Sequence, residues 1–178
     1  MVASTNNERE LVRSTMAEAR PDRPIAATQV LNRLRDWQER THRLYDFIAR
    51  TLGSHYKYDR AGKHRSAEEP VQRAGLPKDQ VPALDILRIE RPDGVLRATI
   101  MPRGLWIIGA NGRLDLRVLK SETKQKQYFL IDKSTPLSGA ENTSWYIVDP
   151  TDRLDQKPLT EQLLREVIEG STDASPRA

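Results

Sequence analysis

Seven side chains within ten positions carry the densest chemistry in this sequence: Tyr56, Lys57, Tyr58, Arg60, Lys63, His64 and Arg65. Aromatic rings interleaved with cations suit stacking on bases and neutralising phosphates, or closing over a smaller anion. The surrounding segment, 54–82, holds three prolines and no sustained apolar period, so it reads as a long basic loop with these seven residues as an anion-binding site. Lys120, Lys124, Lys126 and Lys133 flank Tyr128 and Phe129 in a similar way.

Three aspartates form the second group. Asp115, Asp132 and Asp149 lie in or just beyond expected strands, in the contexts RLDLR, LIDKS and IVDPT. Paired strand-end carboxylates can hold Mg²⁺ or divide acid and base work between them. Aspartate is equally an ordinary turn former that bonds local backbone N–H groups, especially Asp149 before Pro150. With no histidine or lysine fixed beside them, turn formation is the simpler role.

The histidines are His42, His55 and His64, and only Asp59, Glu68 and Glu69 lie near enough in the basic segment to complete a ligand set. Exposed histidines are the simpler reading, so no metal is expected. The chain has no cysteine, which excludes disulfides, thiolate zinc sites and a thiol nucleophile. It contains no P-loop, GxGxxG, HExxH, GxSxG or EF-hand pattern. No catalytic residue and no cofactor are expected. Trp37, Trp106 and Trp145 each sit on an apolar run and read as core anchors.

With 178 residues the chain has room for one core rather than two. A hydrophobic fraction of 37%, a charged fraction of 30% and a mean hydropathy of −0.68 are polar for a globular domain and point to disordered ends. No window approaches the ~18 consecutive apolar residues of a membrane span, and the N-terminus has no apolar leader core. The expectation is a soluble protein of a reducing, cytoplasmic compartment with no membrane partner. The net charge is +4 with pI near 9.5, unevenly placed: nine Lys/Arg against four Asp/Glu over 28–65, and three against six over 149–170. Such asymmetry steers an anionic partner to one face, or simply lets the two regions attract each other.

The elements follow from periodicity. Residues 1–26 read as a flexible arm, 27–170 as one domain and 171–178 as a tail. Val30, Leu34, Trp37, Leu44, Ile48 and Leu52 recur at spacings of 4, 3, 7, 4 and 4, predicting a long helix over 27–53 with Thr28 as its cap and Gly53 as its stop. Its stripe is longer than a small sheet can cover, so Leu34, Trp37, Leu44 and Ile48 are expected to mediate self-association in a homodimer. From 83 to 149 the period becomes that of strands: 84–90 and 95–101 around Pro92-Asp93-Gly94, then 105–109 and 113–119 around Asn111-Gly112 as a type I′ turn, then 128–133 and 144–148. A helix over 158–169, with Thr160 near its start and Gly170 at its end, completes the chain.

The fold class is therefore α+β: an antiparallel sheet of about six strands, a meander or half-barrel, packed with a long N-terminal and a short C-terminal helix. The function expected is that of a non-enzymatic binding or adaptor protein acting through protein association, its basic loop suited to an anionic partner. A nucleic-acid or nucleotide-binding module is the alternative. A metal-dependent hydrolase or nuclease built on the strand-end aspartates is a further one.

Overall fold

The computed structural model describes residues 26–121, 123–137 and 143–170. The arm expected at 1–26, Ala26 apart, and the tail expected at 171–178 lie outside the described residues. Helix α1 spans Ala27–Leu52, a 3₁₀ turn Gly53–His55, and β1 Lys57–Arg65; α2 is Glu69–Arg73. Strands β2 to β7 are Ala83–Glu90, Leu96–Gly104, Arg113–Leu119, Gln125–Asp132, Trp145–Asp149 and Asp152–Pro158, and α3 is Glu161–Glu169. The seven strands form one antiparallel meander in sequence order. The α+β class with a long first and a short last helix is as expected. No helix among the described residues is long and apolar enough to cross a membrane.

Helix α1 starts one residue before the expected cap: Ala26 occupies the cap position without a side-chain hydrogen bond, and Thr28 lies inside the helix. Its stop is as expected, with Gly53 at φ +71 and its N–H bonded to Ala49 O. Twenty-six residues make a rod of about 39 Å, and two clusters cover its apolar stripe. Leu44, Tyr45, Ile48 and Leu52 pack with Leu87, Ile100, Leu116 and Leu130 of the sheet and with Leu164, Val167 and Ile168 of α3. Val30, Leu34 and Trp37 pack with Val71 of α2, Val81, Leu84 and Leu105.

This arrangement removes the basis for the expected self-association surface. Leu34, Trp37 and Ile48 are 0% exposed and Leu44 is 3% exposed, so the stripe faces the protein's own core. Segments with weak sequence patterns, α2 and the turn that follows it, join Leu84 of β2 and the loop at Leu105 in covering the first half of α1. Each such fully buried side chain contributes about 1.5–3 kcal/mol of apolar burial.

The basic segment differs most from expectation. It is not a loop: Lys57–Arg65 is an edge strand paired with β2 from Lys57↔Glu90 to Arg65↔Ala83, with a bulge between Asp59 and Gly62. Charges along an edge strand discourage pairing with a second chain, and they also hide its period from a hydropathy reading. The opposite edge, β7, is exposed throughout and likewise carries no apolar pattern.

The Asn111-Gly112 turn is the other correction. β3 pairs with β4 from Ala98↔Val118 to Gly104↔Arg113, so the apolar run after Gly104 is a loop rather than a strand. Glu68 causes this, because its carboxylate accepts the backbone N–H groups of Leu105 at 2.9 Å and Trp106 at 3.0 Å. The tight turn falls at Ile108-Gly109, where Gly109 has φ +76 and Ala110 N–H donates to Ile107 O. Asn111 and Gly112 instead extend the ladder to β5: Asn111 N–H donates to Asp132 O, and Gly112 O accepts from Asp132 N–H.

Glu68→Ala would leave both loop N–H groups without their acceptor, in a position where Leu105 is fully buried. It should cost about 1–3 kcal/mol, measured by urea unfolding. A loss confined to a few tenths would show that water replaces the carboxylate.

Candidate functional site

The register sorts the sheet into two faces. Ala98, Ile100, Leu114, Leu116, Val118, Leu130 and Ile147 face the helices. The alternate positions, among them Thr99, Met101, Arg103, Arg113, Asp115, Arg117, Gln127, Phe129, Ile131 and Tyr146, share the opposite face. None of these side chains belongs to either core cluster. On this open face the alternation of RLDLRVL puts Arg113, Asp115 and Arg117 in one row.

Asp115 is the centre of the face. It is 2% exposed although, among the described residues, no helix packs on it; polar side chains enclose it. Its Oδ2 accepts from Arg103 Nε at 2.7 Å and Gln127 Nε2 at 3.2 Å. Its Oδ1 accepts from Arg113 Nε at 3.0 Å and Nη2 at 2.9 Å. Phe129, directly opposite Asp115 across the strand pair, lies beneath the Arg113 guanidinium at 3.8 Å from the ring centroid, with Arg153 at 5.9 Å. Lys133 stands 4.5 Å from the Tyr146 ring on the same face. Arg117 makes no ion pair or hydrogen bond among the described residues.

The chemical consequence is a row of oriented guanidiniums. Arginine carries five N–H donors in a planar fork. Asp115 uses one donor of Arg103 and two of Arg113, so the others are free to meet an anion while the side chains are already held in place. Fixing them in advance lowers the ordering cost of binding.

The residues singled out at 56–65 are not gathered in one place. Tyr56 and Tyr58 pack against the main core, and Tyr58 Oη donates to Gly53 O. Lys57 donates to Pro92 O, Arg60 pairs with Asp46 at 2.8 Å while lying over Tyr45, and Lys63 pairs with Asp85 at 2.6 Å. Burial pushes the His64 imidazole below its ordinary value, and the positive charge of Arg103 acts in the same direction. Arg65 ends the strand, exposed.

The three aspartates do not converge either. Asp115 is on the open face, whereas Asp132 is fully buried on the helix face and bonded to Arg40 and Ser134. Asp149 lies at the far end of β6 from Trp145, the partner of Asp132, about 13 Å along the strand. Asp149 is the turn former expected of a residue before proline: it accepts from Thr151 N–H and Oγ1 and pairs with Lys126. Among the described residues no three His, Asp or Glu side chains gather as a ligand set.

The Thr151 N–H and hydroxyl, with Lys126, hold the Asp149 carboxyl below the ordinary 3.8, at about 2. A carboxylate depressed in the folded state adds stability above the unfolded value and loses it as pH falls through the folded one. The wild type should therefore lose this increment between about pH 4 and pH 2. Asp149→Asn should lack it already at neutral pH, and the difference between the two should vanish at pH 2, as read by urea unfolding at each pH. A constant difference across that range would mean that the turn, not the charge, is what the substitution disturbs.

Comparison of the chain with protein-family models, curated proteins and solved structures gives no match. Its function is read from this geometry.

Proposed function

We propose that this protein is a non-enzymatic binding protein, an adaptor that holds the acidic surface of a protein partner against the open face of its sheet. The observation that carries the reading is the pair Arg103 and Arg113, both oriented by the buried carboxylate of Asp115 on a face whose described side chains belong to neither core cluster. Arginine, methionine and aromatic side chains are the types enriched where proteins meet, and Met101, Phe129 and Tyr146 accompany the arginines here. Arg117, which has no ion pair or hydrogen bond among the described residues, and Arg153 extend the positive surface. Carboxylates of the partner accept the guanidinium forks, and the flanking rings exclude water from those ion pairs.

The test is binding of a glutamate–tyrosine copolymer, measured by calorimetry at several salt concentrations. Wild type should bind, and Arg113→Ala and Arg117→Ala should each weaken binding about tenfold or more, the size of an interface hot spot. Arg65→Ala, on the edge strand, should leave it unchanged. Equal losses from all three variants would show diffuse charge attraction and defeat the reading.

A nucleic-acid partner is the second reading, favoured by the pI near 9.5 and by the same cations. Phe129 argues for the first, since Arg113 covers its ring and leaves it closed to base stacking. Single-stranded RNA competing with the copolymer at matched salt separates the two: tighter RNA binding with a steep salt slope selects the second.

A further inference from the structure

On the helix side of the sheet, away from the arginine row, a cleft of about 430 Å³ opens between α1, the start of β6 and the approach to α3. That volume lies within the ~300–1,000 Å³ of small-molecule sites. Arg43, Phe47 and Arg50 form its helix wall at spacings of 4 and 3, one stripe of α1. Trp145 and Leu159 form the other wall. Leu44 and Trp145 belong to the main core, with Phe47 and Leu159 packed against it, so the apolar lining is continuous with the core.

Two polar features in this lining are unspent. Arg50 makes no ion pair or hydrogen bond among the described residues. Trp145 is 8% exposed, yet its indole N–H is buried with no hydrogen-bond partner. A buried donor left unpaired is costly, and tryptophan N–H groups in folded proteins generally find an acceptor. A ligand that brings an anionic group and an apolar body meets the exposed guanidinium and the apolar walls at once.

We propose that this cleft is a binding site for a small amphipathic organic anion, a carboxylate with an aliphatic body. The carboxylate meets the Arg50 guanidinium, and the hydrocarbon lies against Leu44, Phe47 and Leu159. A neutral ligand of the same shape would gain the apolar contacts and forfeit the ion pair.

The probe is decanoate, titrated into the full chain and followed by calorimetry and tryptophan fluorescence, with decan-1-ol as the uncharged match. Decanoate should bind at one equivalent, decanol about tenfold or more weakly, and Arg50→Glu should weaken decanoate about tenfold or more. Arg50 is exposed, so circular dichroism and copolymer binding by the variant should stay as in the wild type. Leu159→Glu, which puts a like charge into the apolar wall, should also abolish decanoate binding. The proposal fails if decanoate does not bind below its micelle concentration. It fails equally if the acid and the alcohol bind alike, or if neither substitution changes the affinity.

Discussion

Gly112→Ala should destabilise the fold by about 2–5 kcal/mol, the combined range for overpacking a core and for forcing a side chain to positive φ. A Cβ at this position would stand 2.4 Å from Trp37 Nε1 and 2.9 Å from Cδ1, and the backbone there has φ +141. The indole has nowhere to go: Trp37 is 0% exposed, enclosed by Val30, Leu34, Val71, Val81, Leu84 and Leu105. Gly94→Ala is the control, because Gly94 also has positive φ, +83, but open space around it. Urea unfolding of the two variants separates strain from collision. If both lose the same stability, the close approach of Trp37 to Gly112 is not what requires glycine.

Asp132→Ala should cost about 3–5 kcal/mol, the usual result of breaking a buried ion pair, because it leaves Arg40 with Asp36 alone as counter-charge. Arg40 is 0% exposed and bonded through Nη1 to Asp132 and Ser134, with Asp36 at 3.1 Å and Asn111 O at 3.3 Å. Burial pushes the Asp132 carboxyl up, opposed by its hydrogen bonds from Ser134 and by the Arg40 charge. The pair therefore locks α1 to the end of β5 at a high desolvation cost. Replacing both partners, as Arg40→Met with Asp132→Leu, should recover much of the loss, because the under-compensated buried charge goes with the arginine and the partly exposed Asp36 is left to solvent. A double variant as unstable as the single one would mean that the network's hydrogen bonds, rather than its charge balance, hold the helix.

These two sites also show what the sequence could and could not reveal. Helix α1, its stop at Gly53, the hairpin around Pro92-Asp93-Gly94 and helix α3 with Thr160 and Gly170 were all legible, since periodicity, turn chemistry and caps are local signals. β1 and β7 were not, because edge strands rich in charge look like loops. The apolar run after Gly104 looked like a strand, but Glu68, distant in sequence, takes its N–H groups. Asn111 looked like a turn residue, yet its side chain accepts from Arg33 at 2.8 Å and its backbone bonds β5.

The candidate site was half visible. Arg113, Asp115 and Arg117 stand at alternate positions of one strand, so their common face could be read directly. Arg103 and Gln127 join them only through the registers of β3 with β4 and β4 with β5, which no local pattern encodes. The seven residues at 56–65 drew attention by density alone, and pairing with β2 and α1 disperses most of them into local contacts.

The most direct test of the open face is a nuclear magnetic resonance titration of the full chain with the glutamate–tyrosine copolymer, observing the arginine Nε–Hε signals. Arg103 and Arg113 Nε–H groups are bonded to Asp115, which should make these two signals sharp and slow to exchange before ligand is added. Addition of copolymer should move them together with the backbone amides of Arg117, Gln127 and Tyr146, and leave those of Lys57–Arg65 in place. Shifts confined to the Lys57–Arg65 strand, or no shifts at all at low salt, would contradict the assignment of binding to this face.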